Sequence, residues 1–376
     1  MLKDVCTPSY IFDIDALLKR AAKIKSAFSR VGARVCYAIK ANPFLMRYLA
    51  DSVDCFEVCS PGEFRICEKY GINPQKIVLS GVFKEESDIK RIVSICGAQS
   101  VYTIESLNQL VLLDKTAKEN GIVLPVLMRL TCGNQFGMDR ETVLDIAKHR
   151  SDYALDFLGI QFYGGTQKKI EKIQKEIDEI SSCISDLNQI GFDVKRVEYG
   201  AGFKVSYFQG ESFDEDEYIA QIVDALKVFE GREITLELGR FLSACCGKYY
   251  TSVVDLKTNC GVDYAIVDGG INHLNYYGQM LAMKVPYCTK YPQSDAQPKP
   301  YTVCGSLCTT ADVIVKNLPL SDLHIGDVLC FENVGAYSVT EGIYLFLSRD
   351  MPKIYIKEKD VLSLVRDTFR TDILNS

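Results

Sequence analysis

Short apolar runs, each followed by a polar or amphipathic stretch of helix length, recur at even spacing through the first two thirds of the chain. Eight of them, VCYAIKA, CFEVCS, KIVLSG, SVYTIES, VLPVLMRL, FLGIQFYG, RVEYGAG and EITLELG, are rich in β-branched and aromatic residues and predict strands. Stretches such as PGEFRICEKYG, SLNQLVLLDKTAKENG and KKIEKIQKEIDEISSCISDLNQIG lie between them with helical spacing. Strand then helix, repeated eight times, predicts an α/β fold: a parallel, TIM-like (β/α)8 barrel. A doubly wound open sheet is the competing arrangement, and the even spacing favours the barrel.

After Gly247 the pattern changes. KYYTSVVDLK, DYAIVDGG, YTVCGSLC, DVIVKNL, DVLCFENVG, IYLFLS and KIYIKE read as strands with no helices between them, interrupted by the Pro-rich loop PYCTKYPQSDAQPKP. The early run PSYIFDI also reads as a strand and is expected to join them. The expected division is a barrel over 25–246 and a β-rich domain made of 1–24 and 247–376.

Composition narrows the functional classes. In 376 residues, hydrophobic content of 47% and charged content of 24% fit a globular protein with a sizeable core. A net charge of -6 and the absence of a basic block argue against nucleic acid as a partner. No run is long enough to span a membrane, and the first residues lack a secretory layout, so a cytoplasmic location is expected. Fifteen cysteines are scattered without C-x-x-C spacing and read as free thiols. With three widely spaced histidines, no metal site is expected.

The chemistry of a barrel sits at the C-terminal ends of its strands. Lys40 ends the first apolar run, where a lysine needs a partner or a chemical use. Arg129 ends the fifth run, Tyr163, Gly164, Gly165 and Thr166 follow the sixth, Gly200, Ala201 and Gly202 the seventh, and Glu237, Gly239 and Arg240 the eighth. A G-A-G turn frees backbone N–H groups to approach an anion, and an arginine adds a charged fork. With a lysine amine on the same rim, these residues point to pyridoxal phosphate, Glu237 suiting the pyridinium nitrogen.

The ordered motifs TPSYIFD, YAIKANP, EVCSPGEF, SGVFK, QFGMD, QFYGGTQ, YGAGF, ELGR, VDGG, CGSLCTTADV and ENVGAY run nearly the whole chain. In them the sequence resembles the fold-type III pyridoxal-phosphate decarboxylases, the group that contains diaminopimelate and ornithine decarboxylases. The resemblance implies a homodimeric amino-acid decarboxylase whose β-rich domain contributes to the partner's active site. It implies Lys40 as the Schiff-base lysine and Gly200, Gly202 and Arg240 on the phosphate. Thr166 takes the place of a phosphate-region serine, Glu237 faces the ring nitrogen, and Tyr337 contacts the cofactor. Cys308 matches the cysteine that governs protonation of the carbanion, with Lys40 as the other proton donor.

Departures bear on the substrate. Tyr163 stands where the family usually has a histidine. Thr309 replaces the acidic residue that pairs with a distal ammonium, and NHLNYYGQM, with Tyr276 and Tyr277, lacks the arginine that holds a distal carboxylate. Thr309, Tyr276 and Tyr277 are therefore the expected substrate contacts. RLTCGNQFGMD and FYGGTQKK look more like the branch acting in secondary metabolism, on amino acids joined to a carrier protein or another conjugate. The alternatives are an amino-acid racemase on the same fold, with Tyr163 as its base, and a regulatory protein that has lost catalysis.

Overall fold

A computed structural model describes residues 5–376; residues 1–4, part of the expected 1–24 segment, lie outside the described residues. It divides into two compact units. One comprises Ala21–Lys204 and Asp214–Leu242; the other comprises the segment through Arg20, Val205–Phe213 and Ser243–Ser376.

The first unit is a closed parallel barrel of eight strands: β2 (Ala33–Ala38), β3 (Cys55–Val58), β4 (Ile77–Leu79), β5 (Val101–Ile104), β6 (Leu124–Leu130), β7 (Leu155–Tyr163), β8 (Arg196–Gly200) and β9 (Glu233–Leu238). All eight predicted runs are strands, and β9 closes on β2 with Val35 opposite Leu236. The intervening helices form where local signals demand. Ser60, Ser106, Asp139 and Asp214 each cap a helix by accepting the amide of the residue three further on. The long helix Ile170–Gln189 buries Ile173, Ile177, Ile180, Ile184 and Leu187, as the i, i+3, i+4 spacing predicts, and Glu176 is the one charged residue buried with them.

The second unit is a nine-stranded mixed sheet. β1 (Ser9–Asp13) lies inside it, antiparallel to β10 (Gly247–Asn259) and parallel to β16 (Lys353–Glu358). β11 (Val262–Val267), β13 (Lys299–Cys304) and β14 (Val313–Leu320) extend one side, and β17 (Val361–Arg366) forms the other edge beyond β16. β15 (Val328–Glu332) pairs with β10 and with β12 (Cys288–Tyr291). Burial explains the central place of the early strand: Tyr10 and Phe12 are fully buried, and the Tyr10 ring packs 5.1 Å from that of Tyr249.

Three local readings need correction. IYLFLS is not a strand; its Phe346–Ser348 portion is a 3-10 turn with Leu347 and Ser348 at positive φ. Its apolar side chains are largely exposed, so composition misled where no alternation supported it. Conversely, the Pro-rich loop contains β12, whose four residues become a strand by pairing with β15, and β17 was not foreseen. Among the described residues no helix is long and apolar enough to cross a membrane.

Candidate active site

The C-terminal ends of the barrel strands bring together Lys40, Tyr163, Gly200, Glu237 and their neighbours. Lys40 lies in the turn after β2, its side chain 43% exposed while the preceding Val35–Ile39 are buried. The Lys40 Nζ donates to Glu57 Oε2 at 2.5 Å and lies 3.4 Å from Cys59 Sγ, whose thiol in turn donates to Glu57 Oε1 at 3.3 Å. Burial alone would raise the Glu57 carboxyl, but the Lys40 ammonium and the hydrogen bonds from Lys40 and Cys59 hold it below the ordinary range. The β2/β3 register creates this contact by setting Glu57 opposite Ala38. Neither Glu57 nor Cys59 was singled out in the sequence. A charged residue in the middle of CFEVC is the same kind of anomaly that marked Lys40, and would have found Glu57.

On β9, the strand paired with β2, Glu237 is buried and accepts a 2.8 Å hydrogen bond from Gln161 Nε2 on β7. Burial, reinforced by Glu57 and Glu198, pushes its carboxyl well above the ordinary value, and Lys40 offsets this only in part. On the next wall Arg129 pairs with Glu105 at 2.8 Å, and its guanidinium lies 4.9 Å from the centre of the Phe136 ring. Near the β4 end, burial brings the Lys84 amine down to about 8, and its Nζ donates to Gly81 O and Gln109 Oε1.

The glycine turn after β8 packs against the loop after β7. A Cβ at Gly200 would lie 2.6 Å from Tyr163 Cδ2 and 3.0 Å from Glu237 Oε2, and one at Gly202 would run into the Gly165 carbonyl and Thr166 Cα. Ala201 is buried between them, while Thr166 is half-buried. Lys168, which sequence reasoning passed over, ties the two loops together. Its amide donates to Gly202 O at 3.0 Å, and its buried ammonium pairs with Glu176 at 2.6 Å, where the Tyr199 hydroxyl also donates. Gly239 and the buried Arg240 follow β9 on the same rim.

The other site residues lie in the sheet unit. Cys308 and Thr309 are exposed on the turn between β13 and β14 and line a depression of about 780 Å³ with Asp268, Cys304, Asp312 and Arg349. Tyr337 is half-buried at a φ of 67°, unusual for a bulky residue, and its carbonyl accepts the amides of Thr340 and Glu341. Tyr276 is buried against Tyr207 and Phe208, and its hydroxyl donates to Glu332 O at 2.5 Å. Tyr277, beside it, is 49% exposed. Among the described residues no cluster of three His, Cys, Asp or Glu side chains is arranged to hold a metal ion.

Comparison with known proteins identifies the family. Residues 14–244 match the family model described as pyridoxal-dependent decarboxylase, pyridoxal binding domain. Diaminopimelate decarboxylase of Helicobacter pylori is 27% identical over 358 residues, covering 88% of this chain and 85% of its own. L-Glutamyl-[BtrI acyl-carrier protein] decarboxylase of Niallia circulans is 26% identical, covering 96% and 91%. The crystal structure of the H. pylori enzyme complexed with L-lysine superposes with a TM-score of 0.88 at 25% identity, covering 99% of this chain and 97% of that one.

Proposed function

The chain belongs to the pyridoxal-dependent decarboxylase family, with pyridoxal phosphate as its cofactor, and on that premise we propose that it decarboxylates an amino acid whose distal end carries no free charge. That end is neutral, or is joined to a conjugate or a carrier protein. One observation carries this reading: the two segments expected to meet the substrate tail present no charged side chain. Residues 271–283 contain none, and in 308–312 the sole charged group, Asp312, is turned onto backbone amides. Neither segment offers a partner to a bare ammonium or carboxylate, and burying such a tail unpaired against them would cost several kcal/mol. Similarity to a decarboxylase of a carrier-linked glutamyl group is consistent with a blocked tail.

The barrel residues fit the cofactor. Glu237 is a buried carboxyl whose ionisation is opposed by its surroundings, and a cationic ring nitrogen beside it would relieve that opposition. Bound there, pyridoxal phosphate supplies an electron sink for the pair left when the carboxylate departs as carbon dioxide. Lys40 would hold the cofactor through its amine, and Glu57, beside Nζ, would take or return that amine's proton. Tyr163 offers a ring face, while Gly200, Ala201, Gly202, Thr166, Gly239 and Arg240 receive the phosphate, and Tyr337 adds a further contact. Cys308, delivered by a second copy in a homodimer, donates the proton to the α-carbon; Lys40 is the alternative donor. Tyr163 is a poor base for the racemase alternative, because burial raises its hydroxyl and Glu57 adds to this, against the opposing pull of Lys40.

The test is carbon dioxide release from a panel of free and tail-blocked amino acids. Blocked or neutral tails are expected to be turned over and free diaminopimelate, ornithine and lysine to be poor; efficient use of free diaminopimelate would overturn the reading. Mixing Lys40→Ala with Cys308→Ala protein tests the shared site. Random assortment leaves half the dimers mixed, each with one intact site, so about a quarter of wild-type activity returns. No recovery, with exchange of subunits verified, would place both residues' work within one chain.

A further inference from the structure

The turn that carries Cys308 is held by an acid that has no part in the reaction described above. The Asp312 carboxylate is 3% exposed and accepts two backbone amides, Leu307 N on Oδ2 at 2.7 Å and Ile271 N on Oδ1 at 2.8 Å. These amides belong to different segments, one following β11 and the other following β13, which run side by side with Ile266 opposite Cys304. Backbone bonds reinforce the junction: Ser306 N to Gly269 O at 2.7 Å, Gly305 N to Asp312 O at 3.1 Å and Asp312 N to Thr309 O at 3.1 Å. The fit leaves no room for side chains. A Cβ at Gly270 would stand 2.7 Å from each Asp312 carboxylate oxygen, and one at Gly305 would press on both.

Only an ionised carboxylate satisfies this arrangement, because it accepts at both oxygens and donates at neither. An asparagine would accept one amide and turn its own NH2 against the other. Burial raises the Asp312 carboxyl, and the amides of Ile271, Leu307 and Gly305 oppose that rise, so the clamp loosens when the acid is protonated.

We infer that Asp312 is a positioning residue: by binding the 269–271 and 305–308 segments to each other, it sets where the Cys308 thiol stands. This rests on the reading of Cys308 as proton donor. In that step the S–H bond breaks and a C–H bond forms at the α-carbon with the electron pair left by carbon dioxide, and the thiolate regains its proton from water. A displaced thiol lets the proton go instead to the cofactor's own carbon. The substrate nitrogen then stays with the cofactor, water supplies the oxygen, and an aldehyde leaves in place of the amine. A clamp that positions the thiol therefore governs which product forms as well as how fast.

The experiment compares holoenzyme carrying Asp312→Asn, Gly305→Ala or Cys308→Ala. The readings are the aldehyde-to-amine ratio, the absorbance of the cofactor's amine form, and, on cofactor-free protein, hydrogen exchange at the Ile271 and Leu307 amides. Gly305→Ala attacks the clamp from the opposite side, so a folding failure of one variant leaves the other to report. The expected result is faster exchange at both amides and an aldehyde fraction raised on the order of tenfold to a hundredfold in Asp312→Asn and Gly305→Ala, as misplacement of a reacting group by about 1 Å produces. If Cys308→Ala raises the aldehyde fraction while both clamp variants keep the wild-type ratio, Asp312 is structural only and the inference falls. If Cys308→Ala itself leaves the ratio unchanged, the proton-donor reading fails first, and the inference with it.

Discussion

Gly200→Ala should damage the cofactor site through a single added methyl group. That carbon would lie 2.6 Å from Tyr163 Cδ2, 2.9 Å from Tyr163 Cβ and 3.0 Å from Glu237 Oε2. Comfortable carbon–carbon contact begins near 3.5 Å, so something must retreat by about 1 Å. Gly200 is buried at the end of β8, and Tyr163 ends the adjacent strand opposite it. Either the strand ends part, which lowers stability, or the ring moves, which withdraws the face proposed for the cofactor. Overpacking of this kind costs about 1–3 kcal/mol. If the loss falls on binding, pyridoxal phosphate affinity drops about 5- to 150-fold. The assay is titration of the cofactor-free protein by visible absorbance, with urea unfolding alongside to catch the share that falls on stability. A Tyr163→Ala background removes the 2.6 Å contact, so there the glycine substitution should cost less by at least about 0.5 kcal/mol. Unchanged affinity and stability in Gly200→Ala, or an equal penalty in both backgrounds, would refute the steric argument.

Three further outcomes follow from the geometry. Glu237→Gln should alter the pH dependence of cofactor-free stability. The folded carboxyl is raised, so wild type draws stability from it that is fully present below the ordinary carboxylate pKa of about 4.3 and lost as pH rises through the folded value. The Gln variant therefore gains on wild type between acid and neutral pH in urea unfolding, while its cofactor affinity falls; parallel stability curves would refute the assignment. Cys59→Ala should move the acid limb of the kcat/KM profile upward, because a hydrogen bond holding Glu57 low is lost, and Cys59→Ser should leave it in place. Tyr276→Phe should cost about 1 kcal/mol of stability without changing tail selectivity, since its hydroxyl is bonded to Glu332 O, whereas Tyr277→Ala should raise KM; a selectivity change in Tyr276→Phe would show that its hydroxyl reaches substrate.

The barrel was legible because its signals are local. Each strand of β2 to β9 is an apolar run bounded by its own breakers, and the helix between Ile170 and Gln189 carries its own period. Lys40 was legible for the same reason, as a charge closing an apolar run, and Gly200–Gly202 and Arg240 through their places after consecutive strands. Reading failed in places where a pairing partner, and not residue type, decides the element. β12 is four residues inside a Pro-rich stretch and becomes a strand only by meeting β15, while IYLFLS has strand composition but no partner strand. The contact of Lys40 with Glu57 depends on the parallel β2/β3 register, and the Asp312 clamp on the adjacency of segments that follow β11 and β13. Side-chain period and residue type determine which stretches become strands or helices and which residues are chemically odd there. Which odd residues face each other is set by register and closure, which no single segment encodes.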